Sequence, residues 1–175
     1  MKKTLCLLLV ITSILAICSC EAQNTNLSNQ TPEHNNEPSV SNEDLKYAFA
    51  ELMVAEEGIN VMASTILNNW STHEHMLSYW NEEIADYYGN KSKYNDFKKR
   101  IDTINGIFDE VKTTMGSTST GDFYDALKAY YVSVNKYFEL VSKAPSGYSK
   151  LTYMQAISDC KSECQSKQSE LDFYV

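Results

Sequence analysis

The chain has 175 residues with 15 Lys plus Arg against 23 Asp plus Glu, 43% hydrophobic and 11% aromatic residues, 6 Gly and 3 Pro. That length suits one ordinary domain with room for a core, and 12 Tyr, 6 Phe and 2 Trp supply more buriable area than disordered compositions carry. A formal charge of −8 leaves little electrostatic footprint for nucleic acid or for an anionic bilayer face, so neither is an expected partner of the protein surface.

Lys2 and Lys3 form a short basic start, and Thr4 to Ile17 is a largely apolar run, too short for a permanent membrane span and suited to an export signal. It ends in Ile17-Cys18-Ser19-Cys20. This resembles the lipobox of bacterial lipoproteins: an aliphatic residue at −3, a small residue at −1, then the acceptor cysteine. The resemblance covers the leader alone. It implies that residues 1–19 are a signal peptide removed before Cys20, and that Cys20 carries fatty acyl chains. Cys18 fits the acceptor role less well, because Ile17 would then stand at the small-residue position. The alternative is an ordinary secretory signal, cleaved for instance after Ala22. The lipoprotein reading puts the protein at a bacterial cell membrane or outer membrane, extracytoplasmic and held by its lipid. Losing Lys2 and Lys3 leaves 13 basic against 23 acidic residues, a charge of −10.

Residues 20–40 read as the lipidated cysteine and a flexible linker. Glu21 to Val40 contains two of the three prolines, five Asn, and Leu27 as its only large apolar residue before Val40, too little to offset chain entropy. His34 in this linker is incidental.

Residues 41–175 read as an all-α domain, an antiparallel bundle of four to five helices. Apolar residues recur at alternating spacings of four and three. The first stripe runs from Leu45 through Phe49, Leu52, Glu56, Ile59, Ile66, Trp70 and His73 to Tyr87, after a Ser41/Asp44 capping pair. As one helix it would reach roughly 65 to 70 Å, about twice the length of the others. Either it breaks near Asn68 to Ser71, where Ser71 and Glu74 again have capping spacing, or its amino-terminal half is covered by a second copy as a homodimer. The second stripe runs from Tyr94 to Met115. The third runs from Phe123 to Val141 behind a Ser119/Asp122 cap, and the fourth from Tyr153 through Cys160 and Cys164 to Tyr174. Gly89, Gly116, Gly121 and Gly147 fall between stripes, where left-handed backbone is useful.

Four residues are candidates for ligand binding: Glu56, His73, Cys160 and Cys164. Cys160 and Cys164 lie at i and i+4, with Cβ atoms about 6 Å apart where a disulfide wants roughly 3.8 Å. Packing as small hydrophobes is expected, with a strained disulfide or soft-metal ligation as alternatives. His73 and His75 point about 200° apart on a continuous helix and cannot share an ion, so His73 reads as a hydrogen-bonded core or boundary residue. Glu56 interrupts an apolar stripe; it either reaches water at the boundary or is a buried acid with a perturbed pKa. Tyr124, Tyr131 and Phe138 widen the apolar arc of the third helix, through central burial or as anchors for a partner. Nucleophile elbows and phosphate-binding glycine loops are absent. The expectation is a non-enzymatic module without cofactor or metal that contacts an unknown protein, and the rival is a small-ligand or metal-binding lipoprotein using the bundle interior.

Overall fold

The computed structural model describes residues 40–116 and 121–175, with His73 described for its backbone alone. The leader, Cys20, the linker up to residue 39 and Ser119 lie outside the described residues. Among the described residues six α-helices form: α1 Asn42–Asn68, α2 His73–Met76, α3 Glu82–Tyr87, α4 Lys91–Met115, α5 Asp122–Ser142 and α6 Lys150–Leu171, with a 3₁₀ turn over Leu77–Tyr79. No strand occurs among the described residues, and none of their helices is long and apolar enough to cross a membrane. The domain is an all-α bundle.

Local chemistry sets the helix ends. Ser41 and Asp44 form the expected reciprocal cap: the Asp44 N–H donates to Ser41 Oγ at 3.2 Å and the Ser41 N–H to the Asp44 carboxylate at 3.0 Å, satisfying two orphan donors. Those bonds hold the Asp44 carboxyl below its ordinary range. The first stripe breaks after Asn68, the first of the two outcomes its length allowed. The Asn69 side chain donates back to the Thr65 carbonyl at 2.8 Å, and α2 then opens with the Thr72 hydroxyl accepting from the His75 N–H at 3.1 Å. Thr72 thus takes the role expected of Ser71. After α3 the chain turns through Gly89 at φ 66°, with the Asn90 N–H on the Ala85 carbonyl and the Gly89 N–H on that of Asp86. This is a Schellman closure, for which glycine suits the left-handed residue.

Breaking the stripe resolves the length problem. With 27 residues, α1 is about 40 Å long, and the 25, 21 and 22 residues of α4, α5 and α6 give about 32 to 38 Å. Contacts fix the directions. Tyr47 near the start of α1 donates to Glu110 near the end of α4 at 2.7 Å, so α1 and α4 are antiparallel. Lys136 pairs with Glu163 at 2.6 Å and Tyr153 reaches the Leu140 carbonyl, so α5 and α6 are antiparallel too. Phe49 packs on Tyr130 while Asn60 meets Tyr137 further along both helices. Helices α1 and α5 are therefore a parallel central pair, flanked by α4 and α6.

Leu52, Ile59, Met62, Ile66, Leu127 and Val134 are fully buried along that pair. Leu45 and Phe49 are buried within the same chain, so the amino-terminal half of the first stripe needs no second copy to cover it. Past the break the stripe loses its phase: Tyr87 is 84% exposed. Within the aromatic row of α5, Phe138 is buried, while Tyr131 is half-buried with its ring edge on Phe108 of α4, 5.4 Å between centroids. Tyr124 is also half-buried, its hydroxyl on the Gly116 carbonyl.

Leu52→Ala in the full chain should lower the free energy of unfolding by about 2–5 kcal/mol in chemical denaturation. Tyr87→Ala should change it by no more than about 0.5 kcal/mol.

Candidate functional site

Glu56 sits at the middle of α1 on the face turned toward α5. It is 9% exposed, and its carboxylate accepts the Tyr130 hydroxyl at 2.6 Å. A carboxylate this deep needs a donor. The phenol supplies one. Burial first, and then the hydrogen bond to Glu56, push the Tyr130 phenol far above its ordinary range. One turn on, Asn60 Oδ1 accepts from Tyr137 at 3.1 Å. Glu56 also reaches the floor of a shallow surface hollow of about 230 Å³ with Met53, Asn60 and Gln168. The acid is therefore a buried, partnered group whose edge approaches water, between the two states its sequence position allowed.

Cys160 and Cys164 lie buried on α6 as free thiols. Burial, then the nearby Glu56 carboxylate, pushes the Cys164 thiol up from 9.0 to about 12, against a weaker opposing contact from the Ser133 hydroxyl. Cys160 is raised by burial too, although the Lys136 ammonium pulls it down. Thiols that hold their protons this tightly are poor nucleophiles at neutral pH.

The fold brings Glu56 beside Cys164 across the α1–α6 seam and leaves His73 apart. That residue opens α2, whereas about 18 Å of helix separates Glu56 from Asn68 at the end of α1. Its side chain lies outside the described residues. No group of three His, Cys, Asp or Glu among the described residues is arranged to hold a metal ion.

A second polar cluster had no signal in the spacing. His75 is half-buried with Nε2 3.1 Å from the Asn90 side-chain amide, which also donates to Ser78 Oγ at 3.2 Å. With the amide as donor, Nε2 accepts and the ring proton falls on Nδ1. That Nδ1, the Tyr79 hydroxyl and the Trp80 indole N–H are buried without a hydrogen-bond partner among the described residues. All three belong to the stretch after the break, where helix periodicity no longer predicts which side chains face inward.

The Glu56 seam can be tested in two ways. Tyr130→Phe leaves a buried carboxylate without its donor, and should cost about 1–3 kcal/mol of unfolding free energy. The sign of the pH dependence comes from Cys164. A thiol whose folded pKa lies above its unfolded value stabilises the fold fully below pH 9.0, and that contribution is lost as pH rises toward about 12. The unfolding midpoint should therefore fall over this window. At pH 8, peptide mass spectrometry should find Cys160 and Cys164 unalkylated by iodoacetamide in the native chain and modified in denaturant. Compared with family models, with curated proteins and with solved structures, the chain matches none.

Proposed function

We propose that the protein is a non-enzymatic lipoprotein, anchored by acyl chains on Cys20 to a bacterial cell membrane or outer membrane, that presents its helical domain outside the cytoplasm and acts by contacting another protein. The leader supports the anchor: Lys2 and Lys3, the apolar run, and Ile17-Cys18-Ser19-Cys20. Each buried acyl CH₂ contributes about 0.8 kcal/mol, so two or three chains hold the protein durably without a spanning helix.

One observation carries the contact reading. The reactive groups of the α1–α5–α6 seam are already engaged in holding the core: Glu56 by the Tyr130 hydroxyl and the two thiols by burial. With that seam engaged, recognition is left to the surface. This favours a protein partner over a ligand held inside the bundle.

Intact mass spectrometry of the full chain from a bacterial membrane should show loss of residues 1–19 and an acylated Cys20, and Cys20→Ala should release the protein from the membrane fraction. A retained Met1, or a freely diffusing product without acyl chains, overturns the anchor. The detergent-solubilised full chain should retain a saturable partner from envelope extracts; retention of none overturns the contact reading.

A further inference from the structure

The α1–α4 seam is open to solvent along one side, and two hollows lie end to end on it. The larger, about 530 Å³, has an apolar floor of Val54, Gly58, Ile104 and Ile107. Lys99 and Arg100 stand on its rim. The smaller, about 160 Å³, continues toward the start of α4 over Met62 and Phe97, with Lys93 and Thr65 at its edge. Both share Asp96 and Arg100, so they form one groove. Gly58 lets the two helices close up: a Cβ there would come within 3.3 Å of Ile104 Cδ1, so Ile104 packs against bare α1 backbone and fills the floor. Val54, one turn before Gly58, is 56% exposed.

Charge decides what fits. Lys93, Lys99 and Arg100 face Asp96 alone within the groove and make no ion pair among the described residues. On other faces of α4, Lys91 is tied to Glu82 and Asp86, and Lys98 to Asp102. Arg100 is the only arginine of the chain, and arginine is the side chain best suited to gripping carboxylates in pairs. This local excess of positive charge sits on a protein of net charge −8, which directs an acidic partner to this face and away from the rest of the surface. At the far end of the groove the smaller hollow is lined by Tyr79, whose buried hydroxyl has no partner among the described residues.

We infer that the α1–α4 groove docks an acidic amphipathic segment of another protein, with its carboxylates on Lys93, Lys99 and Arg100 and an apolar side chain against Val54 and Ile107. This rests on the reading of the protein as a contact module. From Lys93 to Ile107 the groove is about 21 Å long, the span of a four-turn helix, so the mode is a segment laid along a groove with apolar anchors and a charged rim.

Photo-cross-linking of the full-length chain in cells tests this, with benzoylphenylalanine at Val54 and, for comparison, at Leu151 on the exposed side of α6. The Val54 probe should trap a polypeptide, and mass spectrometry should place the cross-link in a segment carrying Asp or Glu around an apolar residue. Reversal of the two rim charges, Lys99→Glu with Arg100→Glu, should cut the yield about tenfold and leave the unfolding midpoint unchanged. A trapped segment that is neutral or basic, a lipid, a second copy of this chain, or a yield indifferent to charge reversal overturns the groove. A cross-link at Leu151 with none at Val54 overturns the groove while the contact reading stands, and no cross-link at either position overturns both.

Discussion

The hydrogen bond from Tyr130 to Glu56 joins the two helices on which every other layer of the bundle is laid. Helices α1 and α5 run parallel through the centre, and their contact buries both a carboxylate and a phenol. Neither group tolerates burial without the other, since an orphaned donor or acceptor costs about 1–3 kcal/mol. Sliding α1 by one turn, about 5.4 Å, would separate them. The same slide would part Asn60 from Tyr137. Against a net stability of about 5–15 kcal/mol for an ordinary domain, two such losses are large. Apolar side chains alone accept several registers; these polar pairs accept one. Around that fixed pair α4 covers α1 and α6 covers α5, each antiparallel to the helix it covers.

The bundle was legible because its signal is repetitive. Stripes such as Phe97, Ile104, Phe108 and Val111, or Phe123, Leu127, Tyr130 and Val134, report a buried face many times over, so one misplaced residue does not spoil the assignment. The break after Asn68 was one of two outcomes that length left open, because a helix of roughly 65 to 70 Å needs either a break or cover from a second copy. The segment between that break and α4 was not legible. A stripe extended through it put Tyr87 on the seam and singled out His73, whereas Tyr87 is exposed and the histidine placed in a polar cluster is His75. Once the chain leaves a helix, the angle between successive side chains is lost, and no count of residues restores it. The partner of Glu56 was equally out of reach, since Tyr130 lies 74 residues away.

The chemistry of the interior and that of the surface differ in kind. Inside, groups that are reactive in water are held in unreactive form: Cys164 keeps its proton up to about 12 because burial and a neighbouring carboxylate both oppose a thiolate. Outside, most charges are acidic, and several cations are engaged in ion pairs such as Lys136 with Glu163. The α1–α4 groove departs from both patterns, joining an apolar floor to cations that make no ion pair among the described residues. Interfaces combine such features, an apolar centre for affinity and a charged rim for direction of approach.

The parallel arrangement of α1 and α5 also bears on the order of assembly during synthesis. A ribosome releases α1 first, long before the residues of α5 exist, and the 74 to 77 positions between the paired groups must be made before their bonds close. Closing so wide a loop costs about 1.5 kcal/mol more entropy than closing the α5–α6 hairpin, whose Tyr153–Leu140 bond spans 13 positions. The bonds that fix the register thus close across some of the widest gaps in the chain, while the hairpin beside them closes across a short one.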